Sequence, residues 1–146
     1  IGVIYNPATE EMFSCEKGKG VYLNGEKVSV SNKKNLVNST IVVSRSELKR
    51  GEWESFKKQF KSIKPIGSVA YKLALVSAGR YDIFATIAPK NEWDICAGDC
   101  LISESSGTFK TINDKKIIYN QKKTLVTDTI IATNSILFEG VSDLLF

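Results

Sequence analysis

Histidine is absent from all 146 residues of this chain. Zinc sites built on imidazole ligands, and Ser-His or Cys-His nucleophile systems, are therefore excluded within it. Cysteine is also scarce. Cys15, Cys96 and Cys100 are an odd number of thiols, and none of them forms a C-x-x-C pair. This usage is typical of proteins kept in a reducing compartment, and we expect a cytoplasmic location.

Long hydrophobic runs are missing as well. No stretch approaches the roughly 18 apolar residues that a membrane-spanning helix needs, and we expect no membrane partner. The net charge is +4, and its densest part is a group of lysines interleaved with two phenylalanines. This pattern favours the solvated face of a helix over a nucleic-acid site, so we expect no nucleic-acid partner. The group comprises Phe56, Lys57, Lys58, Phe60, Lys61 and Lys64.

Segments with strand and helix periods alternate along the chain. The sequence Asn24-Gly25 between two short strands predicts a type I′ hairpin. The predicted helices are 52–60, 68–78, 94–105 and 135–145. The predicted strands are 1–5, 11–16, 21–23, 26–30, 40–43, 63–66, 82–85, 108–111, 117–119 and 129–132. Such alternation indicates one α/β domain over residues 1–146, with a mixed β-sheet flanked by helices in an α/β sandwich.

The segment Trp93-Asp-Ile-Cys-Ala-Gly98 follows a loop and opens the third predicted helix. Asp94 stands where this helix begins, and its carboxylate has two interpretations. It is either a helix N-cap that accepts backbone N–H groups or an oxygen ligand for a hard cation. Ser68 is the predicted N-cap of the second helix. Cys96 and Cys100 are four residues apart and are predicted to share one helix face as small apolar residues.

Several motifs, in order along the chain, resemble the C-terminal half of enzymes of the inositol monophosphatase superfamily. Gly2-Val-Ile-Tyr-Asn-Pro7 resembles the G-V-x-Y-x-P strand and turn of that family, and Trp93–Gly98 resembles its W-D-x-A-x-G helix start. Residues 16–25 resemble the family's hairpin, and residues 67–69 resemble its substrate loop. Residues 104–107 stand where the family has its E-A-G-G segment. The resemblance implies the C-terminal subdomain of a two-subdomain sugar-phosphatase-type fold.

The resemblance also implies a chemistry. Family members hydrolyse small phosphorylated metabolites with Mg²⁺ held by carboxylates and phosphate oxygens, and Mg²⁺ prefers such ligands. By motif match, Asp94 is a metal ligand. The substrate-binding residues implied are Gly67, Ser68, Val69, Lys90 and Asp94. Homodimers are common in the family, so a homodimer is a further possibility.

The other acidic ligands of the family lie upstream, in a D-P-[IL]-D-G-[ST] motif that this chain lacks. Asp82, Glu92 and Asp99 are only loose candidates for further ligands. Because Ile1 already lies in a predicted strand, we expect a metal-binding N-terminal half to precede it. We therefore expect residues 1–146 by themselves to be inactive.

The choice among family members depends on the loop before Asp94. Inositol-specific members carry a glutamate about seven residues before the metal-binding aspartate, whereas Thr86 and Ile87 stand here. The loop 89–94 instead resembles that of 3′(2′),5′-bisphosphate nucleotidases. Residues 44–46 resemble their S-R-S-H strand end, with Glu47 in place of the histidine. We therefore predict a nucleotidase that converts 3′-phosphoadenosine 5′-phosphate to AMP. The alternatives are an inositol monophosphatase and a non-catalytic binding or assembly module.

Overall fold

The chain opens with a series of strands, and helices are interspersed among the strands after β5, as the sequence predicts. The computed structural model describes all residues from Ile1 to Phe146. The strands are β1 (Gly2–Asn6), β2 (Glu11–Glu16), β3 (Gly20–Leu23), β4 (Glu26–Val28), β5 (Thr40–Val43), β6 (Ser62–Pro65), β7 (Ile83–Thr86), β8 (Lys90–Asn91), β9 (Gly107–Thr111), β10 (Leu125–Val126) and β11 (Ile130–Asn134). The helices are α1 (Arg45–Lys49), α2 (Val69–Ser77), α3 (Glu92–Glu104) and α4 (Phe138–Leu145).

Two main sheets organise the fold. The first is an antiparallel meander in the order β1-β2-β3-β4. The second is mixed, in the order β6-β5-β7-β11-β9, with β5 parallel to both β6 and β7 and the remaining pairs antiparallel. A short ladder of β8 with β10 stands apart from both. The prediction of a mixed sheet flanked by helices is confirmed.

Helices α2 and α3 lie between the two sheets. Their residues Ala74, Leu75 and Leu101 pack against the first sheet. Their opposite faces pack against the mixed sheet in a second cluster, which comprises Val42, Leu73, Val76, Phe84, Ile95, Ile102, Phe109, Ile130 and Ala132. The other face of the mixed sheet is covered by α4 and by the segment around Trp53. The central strands β7 and β11 are therefore buried along their whole length, as their continuous apolar runs predict.

The first sheet shows the pattern of a half-buried surface. Buried and exposed residues alternate in β1 and β2, with Phe13 and Cys15 turned to α2 and α3. The predicted hairpin at Asn24-Gly25 is present, and both residues have positive φ, at 49° and 86°. This is the conformation that a type I′ turn requires.

Three predicted elements differ in the structure. The expected helix 52–60 contains only a 3₁₀ turn, Glu54–Phe56, because Trp53 and Phe60 are both drawn into the core and tertiary packing overrides the helical spacing. A helix that was not predicted, α1, precedes it. Residues 117–119 form no strand, because the chain there bonds to α3 instead of to a neighbouring strand. Helix α4 begins at Phe138, after a turn in which Asn134 Oδ1 accepts the N–H of Leu137.

Every helix falls short of a membrane span. None of the four is both long enough and apolar enough to cross a bilayer.

The contact between α2 and α3 allows a test of the packing. A Cβ atom on Gly98 would lie 2.3 Å from Leu73 Cδ1 and 2.6 Å from Leu73 Cβ. We expect Gly98→Ala to lower the free energy of unfolding by about 1–3 kcal/mol, because the helices would have to separate. Urea denaturation measures this change.

Gly140→Ala is the matched control, also a glycine within a helix. There the nearest atom to the new Cβ is Leu36 Cδ1 at 3.6 Å, an ordinary contact. We expect a gain in stability of up to about 1 kcal/mol from helix propensity. Equal effects of the two substitutions would show that the close approach at Gly98 does not matter.

Candidate functional site

Asp94 lies in the first turn of α3, two residues after the helix begins at Glu92. The helix N-cap is Asn91, and no side chain caps the helix. The Asp94 carboxylate is exposed and makes no hydrogen bond or ion pair within the chain. The N-cap interpretation of Asp94 is therefore not supported. The structure has instead a free carboxylate near the positive end of the helix dipole, a favourable place for negative charge.

Two of the loose ligand candidates are engaged in structural bonds. The Asp82 carboxylate accepts the backbone N–H of Thr40 at 2.7 Å, at the start of β5. The Glu92 carboxylate accepts the backbone N–H groups of Asn120 and Gln121 at 2.7 and 3.1 Å. Both acids are buried. Their oxygens hold the backbone together, so they are not presented to a cation.

The third candidate is engaged as well. Asp99 accepts a hydrogen bond of 2.7 Å from the hydroxyl of Tyr119 and one of 3.1 Å from Ser103. Burial raises the pKa of Asp99, and these two donors oppose the shift. No group of three or more acidic, histidine or cysteine side chains that could hold a metal occurs in the chain. Asp94 is thus the acid near the start of α3 whose oxygens are free to bind a ligand.

The loop before α2 has an unusual backbone. Ser68 has φ 60° and ψ 123°, a conformation that non-glycine residues rarely adopt. Its side chain accepts the backbone N–H of Tyr71 at 3.2 Å, which confirms the predicted N-cap. Strained residues of this kind cluster at ligand-binding loops. The loop that includes Gly67 and Val69 was predicted to bind substrate, and this geometry is consistent with that prediction.

A cleft of about 540 Å³ opens beside this loop. Arg45 lies at its edge, against the bare Cα of Gly67: a Cβ there would come within 1.9 Å of Arg45 Nη2. The arginine is exposed and has no acidic partner within the chain. The rest of the wall is Ile4, Tyr5, Asn6, Pro7, Ile66, Ser68, Ala70 and Tyr71. Lys90 and Asp94 do not line this cleft.

Lys90 stands in β8, directly before α3, and its ammonium group is turned inward. Its Nζ donates to the carbonyl oxygens of Ala88 at 2.8 Å and Pro89 at 3.3 Å, and lies 3.9 Å from Glu47 Oε1. Burial lowers the pKa of Lys90, and the charges of Glu47 and Asp94 oppose this effect. Lys90 therefore contributes positive charge near the start of α3, and its ammonium group is not exposed for direct contact with a ligand.

Glu47 is a residue of the site that the sequence did not reveal. Its side chain is fully buried and accepts hydrogen bonds from Trp53 Nε1 at 3.1 Å, Thr86 Oγ1 at 2.6 Å and the backbone N–H of Ala88 at 3.2 Å. The carboxylate thus fixes the loop between β7 and β8. In the sequence, the one feature that marks Glu47 is its position, where nucleotidases have histidine. No neighbouring residue in the sequence indicates that its side chain is buried.

Lys72 was missed as well. It is the one charge within the apolar face of α2, it is 2% exposed, and its Nζ donates to Ile66 O at 3.1 Å. The same atom lies 5.7 Å from the centroid of the Phe84 ring. Burial lowers the pKa of Lys72 to about 8, the charge of Glu47 opposes this shift, and neighbouring cations add to it. The sequence feature that could have revealed this buried lysine is its place inside the apolar run A-Y-K-L-A-L-V.

Comparison with known proteins decides the family. A model described as the inositol monophosphatase family matches residues 1–143. The chain belongs to the inositol monophosphatase family. It is 35% identical over 113 residues to an inositol-1-monophosphatase of Mesorhizobium japonicum, across 73% of this chain and 42% of that protein. It is 32% identical over 117 residues to a fructose-1,6-bisphosphatase/inositol-1-monophosphatase of Thermotoga maritima, across 80% of this chain and 45% of that protein.

Solved structures of the family show the same fold. The chain matches the IMPase of Thermotoga maritima with a TM-score of 0.84 and 28% identity, over 98% of this chain and 54% of that one. It matches the suhB protein of Bartonella henselae with a TM-score of 0.82 and 27% identity, over 98% and 56%. The chain therefore spans about half the length of these family members.

The comparisons bear differently on the two predictions about function. The predicted membership of the inositol monophosphatase family is confirmed. The narrower prediction of a bisphosphate nucleotidase is not supported. The relatives carry names that favour the alternative, an inositol monophosphatase.

The buried lysine gives a pH-dependent prediction. Lys72→Met keeps an unbranched side chain but cannot bind a proton. Between pH 8 and pH 10.5 the unfolded wild-type chain holds a proton on Lys72 that the folded chain has released, so wild-type stability rises with pH in this window. We expect the free energy of unfolding of the wild type, relative to that of the variant, to increase by about 3 kcal/mol across this pH window.

Chemical denaturation at pH 7, 8, 9 and 10.5 measures this difference. The charged groups around Lys72 are Glu47, Lys90 and Arg45, and all three stay in place in the variant. Lys61→Met, at an exposed position, is the control, and its stability difference should stay constant. A constant difference for Lys72→Met would show that Lys72 keeps its proton in the folded protein.

Proposed function

We propose that the protein containing this chain is a Mg²⁺-dependent phosphomonoesterase for a small phosphorylated metabolite, with an inositol phosphate as the preferred substrate. The observation that carries the proposal is the carboxylate of Asp94. It is exposed, has no partner within the chain, and stands in the W-D segment at the start of α3. The family match over residues 1–143 supports the reaction class.

The donor chemistry fits Mg²⁺. A free carboxylate is the oxygen ligand that this ion prefers, and Mg²⁺ needs few protein ligands because it keeps several waters. When bound, the ion supplies electrostatic stabilisation of the charge that develops on a phosphoryl group. Within this chain we assign Asp94 to hold it. Because the other nearby acids are engaged in structural bonds, we place the remaining ligands outside residues 1–146.

The substrate side of the site is assigned to the loop formed by Gly67, Ser68 and Val69. The surroundings hold Ser68 in its strained conformation, and its side chain accepts the N–H of Tyr71, so the polar groups of the loop are positioned before a ligand binds. Arg45 beside Gly67 and Lys90 before α3 supply positive charge suited to a phosphate ester. A homodimer remains a prediction.

A nucleoside 3′(2′),5′-bisphosphate is the second candidate substrate, and one observation favours it. Ile87 stands seven residues before Asp94, where a carboxylate for sugar hydroxyls is expected in inositol-specific enzymes. The neighbouring hydroxyl of Thr86 is already donated to Glu47 at 2.6 Å. Neither residue therefore offers a charged acceptor to an inositol ring.

Asp94→Asn in the full-length protein tests the metal-ligand role. The amide loses the charge that binds Mg²⁺, and we expect kcat/KM to fall by about 100-fold or more, a few kcal/mol of transition-state stabilisation. We expect the thermal unfolding midpoint without Mg²⁺ to fall by at most about 4 °C, because the carboxylate makes no bond in the fold and only its interaction with the helix dipole is lost.

Asp143→Asn, on the exposed side of α4, is the matched control and should keep full activity. Normal turnover of Asp94→Asn at limiting Mg²⁺ would contradict the assignment. Loss of activity with a larger fall of the unfolding midpoint would point to a structural role instead.

Substrate preference is tested with kcat/KM for inositol 1-phosphate and for 3′-phosphoadenosine 5′-phosphate, both with Mg²⁺. We expect the inositol ester to be favoured by about tenfold or more, a difference of roughly 1.4 kcal/mol. Preference for the bisphosphate would establish the second candidate. No turnover of either ester by an Mg²⁺-binding protein would favour the non-catalytic module.

A further inference from the structure

Two cysteines that are far apart in sequence meet between the first sheet and α3. Cys15 in β2 and Cys100 in α3 have their Sγ atoms 3.0 Å apart. Both thiols are free. The contact lies within the hydrophobic cluster between the first sheet and the helices, and Cys15 is only 4% exposed there.

Gly2 makes this contact possible. In β1 it pairs directly with Cys15 across the sheet. A Cβ on Gly2 would lie 3.0 Å from Cys100 Cβ, 3.0 Å from Ala97 O and 3.2 Å from Cys15 Sγ. A side chain at position 2 would therefore force α3 or the sheet to shift by a few tenths of an ångström. The bare backbone lets the helix come close enough for the two sulfur atoms to touch.

We propose that Cys15 and Cys100 are a modification site, a thiol pair that peroxide converts into a disulfide linking the first sheet to α3. A disulfide has an S–S separation of about 2.05 Å, so the two sulfur atoms must approach by only about 1 Å. The proposal does not depend on the proposed phosphatase function.

The two thiols have different roles in the reaction. Cys15 is buried, and burial together with its contact to Cys100 raises its pKa to about 11, so it stays a thiol near neutral pH. Cys100 is half-buried beside an open cleft of about 400 Å³, whose wall includes Asp99, Ser103 and Tyr119. A small oxidant therefore reaches Cys100 first.

The step balances with hydrogen peroxide as the oxidant. The Cys100 sulfur attacks one peroxide oxygen, the O–O bond breaks, and one water leaves with Cys100 as a sulfenic acid. The Cys15 sulfur then attacks the Cys100 sulfur, and the sulfenic hydroxyl leaves with the Cys15 proton as a second water. Two thiols are oxidised to one disulfide, and one peroxide is reduced to two waters.

The linkage acts on the helix that carries the candidate metal ligand. Cys100 lies six residues after Asp94, less than two turns along α3. The bond closes a loop of 85 residues between Cys15 and Cys100. Cross-links over long loops stabilise by restricting the unfolded chain, so the oxidised protein should be the more stable form.

The test treats the folded full-length protein with hydrogen peroxide, blocks the remaining thiols under denaturing conditions, and maps the peptides by mass spectrometry without reduction. We expect a peptide pair that joins Cys15 to Cys100 and has lost two hydrogen atoms. We expect the thermal midpoint to rise by about 5 °C or more and to return to its starting value with dithiothreitol. The disulfide should be absent from protein kept reduced.

Three variants separate the pair from the nearby thiol. Cys96→Ser should keep both the linked peptide and the rise in the midpoint, because Cys96 is exposed and outside the contact. Cys15→Ser and Cys100→Ser should each lose both. Peptide mapping of the wild type decides the question even if a variant folds poorly. A free Cys15 beside a Cys100 that is over-oxidised or linked to Cys96 would overturn the proposal.

Discussion

The close contact between α2 and α3 is the constraint on which the rest of the structure depends. Both helices are covered on two sides, by the antiparallel meander and by the mixed sheet, so each must be apolar on opposite faces. Gly98 permits this arrangement, because Leu73 fills the space that a side chain would need. The two helices therefore form one layer, and the loops that open them are held by both sheets. The free Asp94 and the strained Ser68 lie at these two starts.

Much of this architecture could be predicted from local patterns. The apolar runs of β5, β7 and β11, the Asn24-Gly25 turn and the start of α2 at Ser68 all depend on neighbours in sequence, and all are present. The helix predicted over 52–60 failed for the opposite reason. Its aromatic spacing is satisfied by an irregular segment that anchors Trp53 in the core, and only the mixed sheet behind it determines that outcome.

The candidate site was predictable only in part. Motif resemblance located Asp94 and the 67–69 loop, because both lie in continuous segments. It could not distinguish a carboxylate that is free from one that accepts structural hydrogen bonds. Glu92 and Asp94 are neighbours in the sequence, but only Glu92 has hydrogen-bond partners in the fold. The burial of Glu47 escaped detection for the same reason. Its partners Thr86, at the end of β7, and Ala88, just after that strand, are about forty residues away, so no local pattern contains the network.

The buried Glu47 has a consequence for how this sequence can diverge. Its negative charge lies in the interior with two positive side chains nearby, those of Lys72 and Lys90. Replacing the acid alone would leave the Lys72 ammonium group without a counter-charge and remove one of those that act on Lys90. Replacing one lysine alone would instead remove positive charge from the buried carboxylate. The three positions are therefore expected to change in concert along a lineage.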